Sequence, residues 1–355
     1  MQNPAIIVLT IYFIERQAMN TTYTNDFSKL LHPALQERLS MLDVEHRIAI
    51  RLFNGFLEGY SNLAIDLYGR TLVLHNYDDL PDTAAECVAI AREFFQEQLP
   101  WINAILLKSH RSSDPAERQG KLLFGEKADR EIEEHGVRYA VNLNMNQDAS
   151  FYLDTRNLRQ WLIHNMDGKT ILNTFAYTGS LGVAAMAGGA QRVVQTDINQ
   201  KFLNIAKTSY TLNGFPIDKS NFMTTDFFQA IGRFKSTKTE FDCVILDPPF
   251  FSSTTAGKVD LVNESHRMIN KVRPLIAHDG WLISINNALF LKGGDHMNTL
   301  DALCADGYLE LEETIPVPQD IVGFPATRSG TLPADPSPFN HSTKIAILRV
   351  RRKKP

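Results

Sequence analysis

From Lys169 onward the apolar positions fall into short runs separated by helix-length segments. Thr170-Ile-Leu-Asn-Thr-Phe175, Arg192-Val-Val-Gln-Thr-Asp197, Phe241-Asp-Cys-Val-Ile-Leu246 and Gly280-Trp-Leu-Ile-Ser-Ile285 read as strands, with helices over 182–188, 200–213 and 260–277. This alternation predicts an α/β fold: a mostly parallel sheet covered by helices on both faces, whose ligands bind beyond the carboxyl ends of the strands. Upstream the pattern changes. Leu30, Leu31, Leu35, Leu39, Leu42 and Ile48 recur at mixed spacings of three and four and predict a helix over 26–50. Two alternating runs around Tyr68-Gly-Arg70 predict a β-hairpin within 51–77, followed by a helix over 83–98 and a strand over 102–108. A small α+β domain over 26–128 thus precedes a larger α/β domain over 129–355. In the latter, Val137–Leu143 reads as a strand, Phe151 opens a helix running to Met166, and 316–339, rich in Pro, Gly and Ser, reads as a long loop. No internal repeat is visible.

Composition narrows the class. With 355 residues, 44% apolar and 21% charged, the chain is an ordinary globular protein. Its net charge of −4 announces no global attraction to nucleic acid, although a local groove can still be basic. Residues 108–138 hold seven Lys or Arg against seven Asp or Glu, a mixed-charge surface without a binding role. Three widely spaced cysteines give neither a disulfide framework nor a zinc site, so no metal is expected and a reducing, cytoplasmic location is the simplest reading. Ala5–Ile14 is apolar but too short to span a bilayer, and no Lys or Arg precedes it. Residues 1–25 are read as an N-terminal extension, with Met19 the preferred start, and no membrane partner is expected. The oligomeric state stays open, a homodimer included.

The candidate chemistry sits at the strand ends. Asn173-Thr-Phe-Ala-Tyr-Thr-Gly-Ser-Leu-Gly182 is a strand-to-helix turn in which Gly179 and Gly182 let backbone approach a ligand. It is not the GxGxxG pyrophosphate fingerprint, which disfavours a nicotinamide dehydrogenase. Asp197, closing the next strand, can accept both hydroxyls of a ribose. Asp226 can take an adenine amine while Phe227 covers the base, although an aspartate after a strand is also the ordinary helix cap. Together these describe a nucleoside without phosphates, S-adenosylmethionine. Its contacts are assigned to Phe175, Tyr177, Thr178, Gly179, Ser180, Asp197, Ile198, Asp226, Phe227 and Asp247.

Leu246-Asp-Pro-Pro-Phe-Phe251 ends the third of the apolar runs, Phe241–Leu246. Prolines cannot donate to a sheet ladder, so the strand stops at Asp247 and a stiff loop begins. Methyl transfer to nitrogen needs the lone pair aimed in line with the departing sulfur and a flat base held still. Asp247 can accept from an amino group, the Pro248 and Pro249 carbonyls are free of any ladder, and Phe250 offers a stacking face worth roughly 1–3 kcal/mol per base. Asp247, Pro248 and Phe250 are the catalytic candidates, with Pro249 and Phe251 on the substrate side. The plainer alternative is a stiff strand exit with aromatics in a core.

Residues 130–350 resemble the class I methyltransferases that modify bacterial large-subunit ribosomal RNA, through Glu134-His-Gly-Val-Arg-Tyr139, Phe151-Tyr-Leu-Asp-Thr-Arg156, Asn173–Ser180 and Leu246–Phe250. Leu63-Ala-Ile-Asp-Leu-Tyr-Gly69 resembles that family's small middle domain. The resemblance implies a Rossmann-like methyltransferase sheet and places Tyr152 and Arg156 beside the cofactor, the alternative being a helix start tied to the domain interface. Members that methylate carbon 5 of cytosine carry a cysteine at the end of the strand after Asp-Pro-Pro; here that place reads Ser284-Ile-Asn-Asn287, without a thiol. This resembles the branch that methylates a guanine ring nitrogen, in which Asn286 and Asn287 can read base edges or simply cap the strand. The RNA-binding front module of many relatives is not found ahead of residue 26, which leaves 45–130 and the basic end 349–355 as RNA contacts, with loop 316–339 expected over the substrate. The resulting expectation is an S-adenosylmethionine-dependent methyltransferase acting on a base nitrogen of ribosomal or other structured RNA. The alternatives are a small-molecule or protein substrate, or a non-catalytic cofactor binder.

Overall fold

A computed structural model describes residues 26–78, 81–254, 257–262 and 264–352. The expected N-terminal extension and the last three residues of the basic end lie outside the described residues. The chain divides into two units: residues up to Asp129 with Leu143–Asp148 and Gly323–Thr331, and Arg130–Asn142 with Ala149–Val322 and the segment from Leu332 onward.

In the larger unit seven strands form one sheet. In chain order they are Thr170–Thr174, Arg192–Asp197, Phe222–Thr224, Phe241–Leu246, Ile276–Asn286, Leu309–Ile315 and Lys344–Val350, and in space they run third, second, first, fourth, fifth, seventh, sixth. The first five are parallel, and the seventh is antiparallel to both neighbours. Alternate residues of the central strands enter two cores. Leu172, Val194, Val244 and Leu282 pack with Phe227 and Ile231 on one face; Ile171, Val193, Ile245 and Ile283 pack with Leu158 and Leu162 on the other. Burial on both faces is why these strands read as unbroken apolar runs.

Three expectations are corrected here. The helix expected over 260–277 is Ser265–Val272 with a short 3-10 turn, Arg273–Leu275, because Pro274 withdraws a donor and pairing with Phe241 already starts at Ile276. A two-stranded hairpin, Phe251–Thr254 with Gly257–Asp260, follows the prolines directly. In the smaller unit, the helix expected to reach residue 50 covers only 26–36. Asp43 turns the chain by accepting the Arg47 amide at 3.0 Å, and Ala49–Asn54 becomes a strand paired with Leu63–Tyr68.

The rest of the smaller unit follows the pattern. Its five strands lie in chain order, the 63–76 hairpin turns at Gly69 with φ +61, and helix Pro81–Gln98 links Thr71–Asn76 to its parallel neighbour Ala104–Ser109.

A buried ion network fixes the entry to the larger unit's sheet. Arg159 grips Glu134 with both guanidinium arms, at 2.6 and 2.9 Å, and lies over Phe151. Arg156 meets the same Glu134 at 3.4 Å and holds Asp320 at 2.8 and 3.0 Å. Removing one partner of a buried pair costs far more than the pair contributes, because the other charge is stranded. Arg159→Ala is therefore expected to destabilise the larger unit by about 3–5 kcal/mol, read as a lower midpoint in chemical denaturation. A loss under about 1 kcal/mol, the surface-pair level, would refute the role given to this network.

Candidate active site

The parallel strands end level with one another, and the loops that leave them surround a cavity of about 370 Å³, within the usual ligand-site range of about 300–1,000 Å³. The first wall is the turn after Thr174. Thr174 donates its hydroxyl to the Ile245 carbonyl at 2.7 Å, closing the strand end. Phe175, Tyr177 and Gly179 then all adopt left-handed backbone, with φ of +52, +50 and +78. For the two aromatic residues this costs of order 1–3 kcal/mol each. The turn is held by Ala176 N–H to Thr196 O at 2.9 Å, Tyr177 N–H to Asp197 at 2.9 Å and the Thr178 hydroxyl to Ser150 O at 2.7 Å. Phe175 is thereby turned onto Phe227 (4.8 Å, stacked), and the Tyr177 ring sits between Tyr152 and Phe202.

Phe175, Tyr177 and Ser180 line the cavity, as does Tyr152; Thr178 and Gly179 do not. Thr178 is a buried strut, and Gly179 is a packing requirement, since a Cβ there would lie 2.5 Å from both Ala206 and the Gln195 amide. Asp197 lines the cavity with Ile198. Its carboxylate accepts the amides of Tyr177 and Asn199 at 2.9 and 2.8 Å, which leaves acceptor capacity for a ligand. Burial pushes its pKa up, and these amide bonds oppose the rise.

Several expected residues are placed elsewhere. Asp226 caps helix Phe227–Ser236 by accepting the Phe228 amide at 2.8 Å, and Phe227 is buried beneath Phe175; neither lines the cavity. Arg156 turns to Asp320 and Glu134 and does not line it either. Asn286 is buried, donates to Leu261 O at 3.3 Å and accepts the Ala288 amide at 3.0 Å, so it caps its strand, whereas Asn287 lines the cavity. Pro248 and Pro249 line it beside Asp247; Phe250 and Phe251 stand outside it, both more than half exposed.

Sequence reading missed Asp154, Phe202 and Thr343. The Thr343 hydroxyl donates to Asp154 at 2.7 Å, and all three residues line the cavity. The signal for Asp154 was present, since it lies inside the Phe151–Arg156 motif between the two positions assigned. Its consequence is electrostatic: burial, reinforced by the Asp154 carboxylate, pushes the pKa of Asp247 up to about 7. The lining thus contains three carboxylates, Asp154, Asp197 and Asp247, among aromatic and aliphatic walls, and no Lys, Arg or His. Such a site suits a flat, positively charged ligand and repels phosphate. Among the described residues no cluster of His, Cys, Asp and Glu is arranged to hold a metal ion, and no helix is long and apolar enough to cross a membrane.

The family model of S-adenosylmethionine-dependent methyltransferases matches residues 104–311, more than half of the chain. The chain belongs to that family. Among its relatives, ribosomal RNA large subunit methyltransferase I of Vibrio campbellii is 28% identical over 258 residues, which is 69% of this chain and 62% of that protein. The chain thus spans less than two thirds of this relative's length. Ribosomal RNA large subunit methyltransferase K/L of Colwellia psychrerythraea is 31% identical over 63% of this chain and 32% of its own. The fold agrees with that of a candidate methyltransferase solved in complex with SAH, at TM-score 0.77 and 22% identity over 92% of this chain and 82% of that one. It also agrees with a Streptococcus mutans structure described as a candidate SAM-dependent methyltransferase, again at 0.77, with 21% identity over 92% and 81%.

In this methyltransferase-family site the Asp247 carboxyl is easier to protonate in the fold than in the unfolded chain. The ligand-free protein therefore loses stability as pH rises from the ordinary carboxyl value of 3.8 to about 7, at up to roughly 1.4 kcal/mol per pH unit. Asp247→Asn, uncharged throughout, is expected to match the native protein near pH 4 and to exceed it in stability at pH 8. Stability-against-pH curves that run parallel would refute this.

Proposed function

We propose that the protein is an S-adenosylmethionine-dependent methyltransferase that modifies a base nitrogen, guanine favoured, in ribosomal or other structured RNA. The observation that carries this reading is the cavity itself: three carboxylates and no cation, walled by aromatic rings and lined by Asp247-Pro248-Pro249. When bound, S-adenosylmethionine supplies a methyl group on a sulfonium. Asp197 would hold its ribose hydroxyls, with Phe175, Tyr177, Ile198 and Phe202 against its flat parts. Asp154 and Asp247 favour its positive charge, and Asp247 also accepts from the amino group of the target base. The Pro248-Pro249 backbone keeps that acceptor still, and Phe250 offers a face for the base.

Nitrogen is favoured over carbon because none of the three cysteines lines the cavity. Cys243 is fully buried in its strand, and burial raises its thiol pKa, opposite to what a nucleophile needs. Three free thiols accord with the reducing cytoplasm where such RNA is made. The second reading, a small-molecule or protein substrate, rests on the net charge of −4.

Transfer of tritiated methyl to total RNA from cells lacking the gene is expected, and to be abolished by Asp247→Ala. Label in protein or small molecules with none in RNA would overturn the RNA assignment. RNA binding should weaken steeply with salt, by about 0.7–0.9 log units per tenfold salt for each phosphate contacted; a flat profile favours the second reading. Because Asp247 would face the cationic sulfonium, affinity for S-adenosylmethionine should rise with pH, by up to tenfold per unit, until the carboxyl is ionised above about 7. The neutral thioether product should lack that dependence. Equal pH profiles for the two would place the sulfonium away from Asp247.

A further inference from the structure

Three loops that continue from the cavity lining at Pro249 and Asn287 carry an unusual set of side chains. The Leu261 amide donates to the Phe250 carbonyl at 3.2 Å, and the Asn286 side chain donates to the Leu261 carbonyl at 3.3 Å. Residues 247–251, 261–262 and 286–290 are thus tied together at the end of the paired strands Phe241–Leu246 and Ile276–Asn286. On this rim Phe250 is 51% exposed, Phe251 56%, Val262 43%, Leu289 45% and Phe290 74%. Five phenylalanines are exposed among the described residues, and three of them stand here. Large apolar side chains clustered in water mark an interaction surface.

What covers the rim follows from its position and charge. Pro249 and Asn287 line the cavity with Asp247, and Phe250 and Leu289, one and two residues beyond them, are exposed beside that lining. Lys258 lies 5.0 Å over the Phe251 ring, and Lys292 is exposed two residues beyond Phe290. Lys258 also pairs with Asp260 at 3.3 Å and stays half exposed, so its ammonium is within reach of a ligand on the rings. Ring faces interleaved with cations fit the two halves of an unpaired nucleotide, base and phosphate. Paired bases within a duplex offer no faces to such rings.

We propose that this rim, with Phe290 as its outermost ring, binds the unstacked nucleotides that flank the target base, and that the protein therefore selects single-stranded or looped RNA over continuous duplex. This rests on the RNA reading above. Neither Phe290, Leu289 nor Val262 lines the cofactor cavity, so their contribution is separable from cofactor binding.

The test uses the full chain saturated with the thioether product and a short fluorescent single-stranded RNA, free or annealed to its complement. The native protein should bind the single strand more tightly than the duplex. Phe290→Ala should weaken single-strand binding by about 5- to 100-fold, Phe290→Trp should preserve it, and both variants should keep native cofactor affinity and melting temperature. Equal binding by Phe290→Ala and the native protein, failure of tryptophan to substitute, or a preference for duplex would overturn the proposal. A native protein that labels RNA while Phe290→Ala does so with unchanged KM would sink this inference and leave the RNA reading standing. A native protein that neither binds nor labels RNA would remove both.

Discussion

The two-sided burial of the parallel strands governs where this protein can do chemistry. Ile171, Leu172, Val193, Val194, Val244 and Ile245 are almost wholly inaccessible and alternate between two helix-covered cores, so polar groups of these strands can meet a ligand only at their carboxyl ends, as Asn173 and Asp197 do in lining the cavity. Parallel pairing also brings Thr174, Asp197 and Leu246 to one edge of the sheet, where every chain must leave. Polar side chains excluded from the cores therefore collect in one place. Asp197 and Asp247 belong to one cavity because the register allows them nowhere else.

That concentration is electrostatically uncomfortable, and the discomfort is what makes the cavity selective. Asp154 arrives from a different segment and raises the cost of ionising Asp247. A positive ligand would reverse the sign of that interaction and favour the ionised form of Asp247. The turn at Phe175 and Tyr177 works in the same way through sterics. Two non-glycine residues in left-handed backbone are tolerated because amide bonds to Thr196 and Asp197 over-determine the turn, and the rings are fixed before any ligand arrives.

How much of this was legible in the sequence depended on the distance over which each residue is partnered. Strands such as Phe241–Leu246 announce themselves because burial on both faces leaves an apolar run, and Asp247 and Asp197 announce themselves as the first acids after such runs. Leu309–Ile315 did not, because Glu310, Glu312 and Glu313 break the apolar run, and the neighbouring strand supplies Arg349, which clasps Glu312 at 2.6 and 2.7 Å. Arg156 read as a ligand contact because its partner Asp320 lies 164 residues away. Asn286 did so because its donor bond goes to Leu261, and Asp226 because a cap and a ligand acid look alike in sequence. Asp154 escaped for the opposite reason: its role is exerted through space on Asp247.

The same reasoning bears on the choice between nitrogen and carbon as the methylated atom. Carbon 5 of cytosine has to be activated by a covalent step, and every thiol in the chain lies outside the cavity. A ring nitrogen or exocyclic amine already carries its lone pair and asks only to be oriented. The site contributes orientation in abundance, through a carboxylate at the strand end, two consecutive prolines that cannot relax into the sheet, and Asn287 on the adjacent strand exit. It offers no Lys, Arg or His, and Asp247, whose pKa burial pushes up to about 7, would be the acceptor for a proton that leaves after the methyl has moved. An architecture rich in rigid acceptors and poor in nucleophiles is what the displacement at nitrogen proposed above would require.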